Sequence, residues 1–242
     1  MEWTDKGIIL GTRRHGEGHA VVELMTAAHG RHLGLVRGGS SRKVTPLLQA
    51  GNSVRAVWRA RLHEHLGTYA LEATRVRSDR LMASAAASYG MQTLAAHLRL
   101  LPERDSHTGL YRALAVIVDH LEEPAVAGAL LVRFELALLA ELGFGLDLET
   151  CAATGASTDL IYVSPKSGRA VSRAAGEAWK DQILALPAFL RGPGERASSS
   201  EIESGFALTG FFLAQRVYEP RGLEFPQSRA ALLAALARAA AA

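Results

Sequence analysis

The apolar periodicity of this chain changes once, near residue 80, and a chain that does so folds into two kinds of structure in succession. Before that point apolar residues alternate. In Ser53–Leu62 the residues Val54, Ala56, Trp58, Ala60 and Leu62 share one face, and Ser53, Arg55, Val57, Arg59 and Arg61 the other. The first set belongs in a core, the second toward solvent or a ligand. Gly7–Arg13, Ala20–Thr26 and Arg31–Arg37 also read as strands, separated by the turns His15-Gly16-Glu17-Gly18 and Ala28-His29-Gly30. Gly67–Arg77 gives a fifth. Five short strands in so short a span fit a small closed barrel, either an OB-fold or an SH3-like barrel.

From Arg80 onward the spacing is helical. Leu81–Leu101 is an alanine-rich helix ending before Pro102, and Thr108–Leu121 stops before Pro124. Ala125–Leu142 is apolar almost all round, the pattern of a central buried helix, and Gly143 and Gly145 end it. Asp147–Val171 is irregular, with Ile161-Tyr162-Val163 as a short strand, and helix resumes over Gly176–Leu184. Arg191-Gly192-Pro193-Gly194 to Ser200 reads as a loop. Ser200 and Glu203 have the spacing of a capping box for a helix over Glu201–Val217, and Ser228–Ala242 is the last helix. This gives an α+β chain with two domains, 1–79 and 80–242, and an irregular excursion at 147–171.

Charge is divided in the same way. The first eighty residues hold 13 Lys and Arg against 7 Asp and Glu, a net +6, while the remainder holds 14 against 17, a net −3. A basic barrel beside a mildly acidic partner region points to a polyanion at the barrel. The alternative is an excess of solvated arginines. The polar start, Met1-Glu2-Trp3-Thr4-Asp5-Lys6, is unlike a signal peptide, and Arg133, Glu135 and Glu141 burden the most apolar helix too heavily for a membrane span. A cytoplasmic protein is expected. The single cysteine, Cys151, allows no internal disulfide, and all nine histidines lie between His15 and His120.

The segment Arg37-Gly38-Gly39-Ser40-Ser41-Arg42-Lys43 carries the most information. Its glycines let backbone amides approach a phosphate that Arg42 and Lys43 would neutralise. It lacks the phosphate-loop order, and the glycine pair Gly11 and Gly16 is followed by Glu17, which repels phosphate. Together with Arg13, Arg14, Arg37, Arg55, Arg59 and Arg61, this loop is the expected phosphate-binding surface, the alternative being an exposed hairpin loop kept soluble by its charge. Trp58 falls on the apolar face, so a core role precedes base stacking.

Arg133, in the apolar run Leu130-Leu131-Val132-Arg133-Phe134-Glu135-Leu136, has two readings. One is an internal ion pair with a distant carboxylate. The other is an anion-capturing group at the rim of an apolar pocket, with Leu130 and Leu136 on its face of the helix. Nothing in the chain reads as catalytic: there is no Gly-x-Ser-x-Gly, no His-Glu-x-x-His and no dense carboxylate cluster. His63-Glu64-His65 offers two imidazoles without a third ligand, and Cys151 has no basic neighbour to activate it.

Four segments in order resemble the RecO family of bacterial recombination mediators. These are Thr4-Asp5-Lys6-Gly7-Ile8-Ile9-Leu10, Arg31 through Gly39, Arg133-Phe134-Glu135-Leu136-Ala137-Leu138-Leu139 with Leu142-Gly143-Phe144-Gly145, and Phe211-Phe212-Leu213 with Pro220-Arg221-Gly222-Leu223. The resemblance implies an N-terminal OB-fold that binds single- and double-stranded DNA, followed by a helical domain with a zinc-finger-like excursion. It implies DNA repair and recombination by contact, without an enzymatic step or cofactor. The implied partners are RecR, the C-terminal tail of single-stranded-DNA-binding protein, held at Leu130, Arg133 and Leu136, and RecA indirectly. Strand annealing and nucleoid association are implied too. In one respect the chain departs from some members: Ala152-Ala153-Thr154 follows Cys151 where a Cys-x-x-Cys would stand, and Ser164-Pro165-Lys166-Ser167-Gly168 lacks the second pair. The excursion is therefore expected to be zinc-free, packed by Leu148, Leu160, Ile161 and Val163. A nucleic-acid-processing enzyme and a protein-only adaptor are the alternatives.

Overall fold

The computed structural model describes residues 1–192 and 197–241 and divides into two compact units between Glu122 and Glu123. The first unit opens with five strands: β1 (Glu2–His15), β2 (His19–Thr26), β3 (Arg31–Val36), β4 (Ser53–Arg59) and β5 (Thr68–Arg75). They close into a barrel in the order β1-β2-β3-β5-β4, with β3 and β5 parallel through Leu35 and Thr68. This is the OB-fold order and sets aside the SH3-like alternative. β1 is twice the expected length because it serves two partners. Its first half pairs with β4 from Glu2 to Ile8, and it pairs with β2 from Gly7 to His15, with a bulge between Ile9 and Gly11. The alternation in β4 holds at Val54, Ala56 and Trp58, all fully buried, and lapses at Leu62, which is exposed beyond the strand.

Helices α1 (Ser78–Ala83), α2 (Ala85–Leu98) and α3 (Thr108–His120) belong to the same unit. The single helix expected over Leu81–Leu101 is thus two. Ser84 is extended, at φ −117° and ψ 124°, and its side chain accepts the Ala87 N–H, so it stops one helix and caps the next. Glu23 of β2 ties this segment to the barrel: Arg31 Nη1 donates to one carboxylate oxygen at 2.9 Å and Arg99 Nε to the other at 2.8 Å.

The second unit is built on α4 (Pro124–Glu141), which buries Leu131, Val132, Phe134, Leu138 and Leu139. It crosses α6 (Ser199–Leu213) closely. A Cβ at Gly128 would stand 2.7 Å from Ile202, and one at Gly205 would stand 2.9 Å from Val132. The remaining elements are the strands β6 (Leu160–Val163), β7 (Ala170–Ser172) and β8 (Leu184–Ala185), which form one small sheet in the order β7-β6-β8, and helices α5 (Arg173–Gly176) and α7 (Gln227–Ala240). The helix expected over Gly176–Leu184 is instead the end of α5, a 3-10 turn and strand β8. The capping box is Ser198 with Glu201, two residues before the expected pair. α6 passes into a π-helical turn, Ala214–Tyr218, where continuous α-helix was expected. Pro193, Gly194, Glu195 and Arg196 of the expected loop, and Ala242 of the last helix, lie outside the described residues. No helix among the described residues is long and apolar enough to cross a membrane.

Candidate functional site

One end of the barrel gathers a run of basic residues. Arg14 opposes Ala20 in the β1–β2 ladder, and Ala20 opposes Val36 in the β2–β3 ladder, so the loop that begins at Arg37 leaves β3 two strands from Arg14. Three bonds fasten that loop to the β1–β2 turn. The Gly38 N–H donates to His19 Nδ1 at 3.2 Å, the Ser40 N–H to the Gly18 carbonyl at 3.2 Å, and the Ser40 hydroxyl to the His19 carbonyl at 2.8 Å. Beside it lies a cleft of about 310 Å³ whose walls include Thr12, Arg14, Gly39, Ser40, Thr45 and Gln49.

The expected DNA-binding cations differ in what engages them. Arg13, Arg14, Arg37, Arg42 and Lys43 are all exposed, and no carboxylate among the described residues pairs with any of them. Arg55 and Arg59 lie on the outer face of β4, where they are engaged. Arg55 is 3.8 Å from Glu72, and Arg59 donates to Glu2 at 2.9 Å, a bond that holds the Glu2 carboxyl below its ordinary range. A phosphate at β4 would have to displace those partners. Arg61 is exposed in the turn that follows β4.

Trp58 is fully buried, and its indole N–H donates to the Leu66 carbonyl at 3.0 Å, so it does not face a base. Trp3 lies 5.7 Å from it and stacks on His29 at 4.2 Å. His32 completes the cluster, buried against Tyr69 with 2.9 Å from Nδ1 to the hydroxyl. Burial, and then the Arg104 guanidinium, push its imidazole down to about 4, which keeps it neutral near pH 7. His63 and His65 lie in an exposed turn whose carbonyls accept from Arg104.

In the second unit Arg133 is exposed. Its Nη2 donates to the carbonyls of Phe189 at 2.6 Å and Gly192 at 3.4 Å, and the guanidinium stands 5.9 Å from the Phe189 ring. Among the described residues no carboxylate meets it. The buried ion pair of this helix belongs two residues on, to Glu135, whose partner Arg229 had no signal in the local sequence. Arg133 and Leu136 line an open cleft of about 280 Å³ with Leu190, Arg191 and Gly192. Leu130 is half-buried and is not part of that lining. The turn that supplies Phe189 is fixed by the Ala188 N–H, which donates to Glu201 of the capping box at 3.2 Å.

The excursion is held by hydrogen bonds and packing. Asp147 accepts from the Thr150 hydroxyl at 2.8 Å and from Arg169 Nε at 3.2 Å. Cys151 is buried, and the Ser172 N–H donates to its sulfur at 3.3 Å. Burial raises the thiol, but hydrogen bonds from Thr154, Ser172 and Ala153 more than offset this and bring it down to about 6. Leu160 and Val163 are buried, and Leu148 and Ile161 are half-buried. No group of three or more His, Cys, Asp or Glu among the described residues is arranged to hold a metal ion.

Comparison with known proteins places both regions in one family. Residues 1–76 match the model described as Recombination protein O N terminal, and residues 78–223 the model described as Recombination protein O C terminal. Relatives named DNA repair protein RecO are similar along nearly the whole chain. The Mesorhizobium japonicum protein is 64% identical, covering 98% of this chain and 94% of its own. That of Chelativorans sp. is 60% identical, covering 98% and 96%. That of Brucella abortus is 55% identical, covering 99% and 97%.

Proposed function

Because the chain belongs to the recombination protein O family, we propose that it is a DNA-binding recombination mediator that acts by contact and makes or breaks no covalent bond. It is a DNA repair and recombination protein. The carrying observation is the set of exposed cations at the end of β1 and in the loop after β3, Arg13, Arg14, Arg37, Arg42 and Lys43, engaged by no carboxylate among the described residues, with Arg14 in the wall of the cleft. Such cations take phosphates without first giving up an ion pair. The loop amides expected to help are spent on the fold: the Gly38 N–H donates to His19 Nδ1, and those of Gly39, Ser40 and Ser41 donate to the Val36, Gly18 and Gly38 carbonyls, so the side chains carry the contact. With Trp58 in the core, recognition rests on the phosphate backbone, and single and double strands both present that feature. Arg55 and Arg59 extend the surface along β4 as weaker contributors, because each must first release a carboxylate, and Arg61 stands in the turn beyond.

The second unit carries the partner function. An acidic peptide with a small apolar tip and a free terminal carboxylate fits the cleft at Arg133, where Arg133 and Arg191 supply charge and Leu136 and Leu190 supply apolar wall. Leu130 flanks it. The tail of single-stranded-DNA-binding protein has this chemistry in the family picture. Holding that tail while the barrel holds DNA would let the protein, with RecR, help RecA displace single-stranded-DNA-binding protein and anneal exposed strands. A titration of labelled single- and double-stranded oligonucleotides at several salt concentrations tests the barrel reading. Affinity should fall linearly on a double-logarithmic scale. No binding at low salt overturns it.

A further inference from the structure

We infer that Asn52 is a positioning residue for DNA binding, holding the floor of the barrel-end cleft in the shape that phosphates meet. The inference rests on the reading of that cleft as the phosphate site. Asn52 stands at the end of the long connection between β3 and β4 and is fully buried. Its side-chain amide has two N–H donors and an oxygen that accepts twice, and all four capacities are used. On one side Nδ2 donates to the carbonyls of Pro46 and Leu47, each at 3.1 Å. On the other Oδ1 accepts the N–H groups of Arg77 at 2.8 Å and Ser78 at 3.1 Å, at the start of α1. Two carbonyls on one side and two N–H groups on the other permit only one orientation of the amide.

The loop side of this arrangement belongs to the cleft. Pro46 and Leu47 lie between Thr45 and Leu48, both of which line it. From the opposite wall the Thr12 hydroxyl donates to the Leu48 carbonyl at 2.7 Å, so the floor is suspended between Thr12 and Asn52. The helix side is fixed in turn. The Arg77 guanidinium donates to the Gly51 carbonyl at 3.1 Å, to Ser53 Oγ at 2.7 Å and to Asp119 of α3 at 2.6 Å, bracketing Asn52 from both neighbours. The Asn52 backbone is pinned as well, its carbonyl accepting the Ile9 N–H at 2.9 Å beside the bulge in β1. A fully satisfied buried amide of this kind fixes one geometry, because any shift of the loop strands a buried polar group. None of these groups touches a phosphate in this scheme. Asn52 acts through the loop that does.

Asn52→Asp tests this selectively. The new carboxylate still accepts the Arg77 and Ser78 N–H groups, with the Arg77 guanidinium beside it, but has no proton for the two loop carbonyls. In the full chain, affinity for a labelled single-stranded oligonucleotide should fall about tenfold, and the salt slope should flatten by roughly one unit as a phosphate contact is lost. In the DNA-free protein, trypsin should cut after Arg42 and Lys43 faster than in the parent. Thr12→Val removes the other suspension and should give the same three changes, with Thr12→Ser behaving as the parent; it decides the matter alone should Asn52→Asp not fold. A folded Asn52→Asp protein with the parent's affinity and slope overturns the inference, as does one that loses thermal stability and affinity with an unchanged slope. Arg42→Ala/Lys43→Ala, measured alongside, separates the two levels. If that double variant weakens binding and the positioning variants do not, the positioning role fails. If the double variant binds as the parent does, the cleft reading itself fails.

Discussion

Arg229 grips both oxygens of the Glu135 carboxylate, Nε donating to Oε1 at 2.8 Å and Nη2 to Oε2 at 2.9 Å, with both side chains buried. The guanidinium also donates to the Phe206 carbonyl at 2.7 Å and stands over the Phe206 and Phe225 rings at 5.1 and 5.3 Å. The Thr209 hydroxyl donates to the same carboxylate. Removing one member leaves a buried charge unpaired, so Arg229→Met should cost about 3–5 kcal/mol in urea denaturation. Replacing both, as Glu135→Leu/Arg229→Met, should recover most of that loss. A single variant costing under about 1 kcal/mol would contradict the reading of this pair as a buried, desolvated one.

Arg133, two residues away, should behave in the opposite way. It is exposed and bonded to carbonyls, so Arg133→Ala should leave the thermal midpoint nearly unchanged. A charge-assisted pair with a peptide carboxylate is worth about 1.5–3 kcal/mol, so affinity for an acidic, apolar-tipped peptide should drop on the order of tenfold to a hundredfold. Amidating the peptide's terminus should weaken binding to the parent by a similar factor. Unchanged peptide affinity would retire the cleft as the tail site.

The barrel core should be acid-sensitive through His32. Its folded value is pushed from 6.5 to about 4, so between those values the unfolded chain binds more protons. Stability from this residue is fully present above about pH 6.5 and falls as pH drops toward 4, by up to about 3 kcal/mol. His32→Leu should flatten the pH dependence of stability in that window. A parent protein equally stable at pH 4 and pH 7 would rule this out.

Purified protein should carry no stoichiometric zinc, and a chelator should leave its thermal midpoint unchanged. Cys151 is the one thiol in the excursion, and hydroxyls of Thr154 and Ser172 hold it. About one chelator-resistant zinc per chain would overturn this.

Much of the barrel was legible because burial imposes a period on it. Val54, Ala56 and Trp58 announced β4, and glycine turns separated the first three strands. Ser84 was missed because an alanine-rich stretch with no proline or glycine hides a break that only a hydroxyl cap enforces. The short apolar run Ile183-Leu184-Ala185-Leu186 suits helix and strand alike, and pairing with β6 makes it β8. For the buried ion pair, an arginine in a greasy helix drew attention to Arg133, while Glu135 takes its partner from 94 residues along the chain. At the barrel end the loop from Arg37 to Lys43 was visible by composition. Asn52 and Thr12 were not, since a neutral amide and a hydroxyl show their importance only through the carbonyls they meet.

The most direct test of the DNA-binding barrel is the salt dependence of oligonucleotide affinity for the parent and for Arg42→Ala/Lys43→Ala. Each neutralised phosphate releases counterions, so the double variant should bind more weakly whatever the sequence, with a slope flatter by about one to two units. Its thermal midpoint should hardly move, because both side chains are exposed and engaged by no carboxylate among the described residues. A double variant that keeps both the affinity and the slope of the parent would contradict the assignment and leave the loop a solubilising turn.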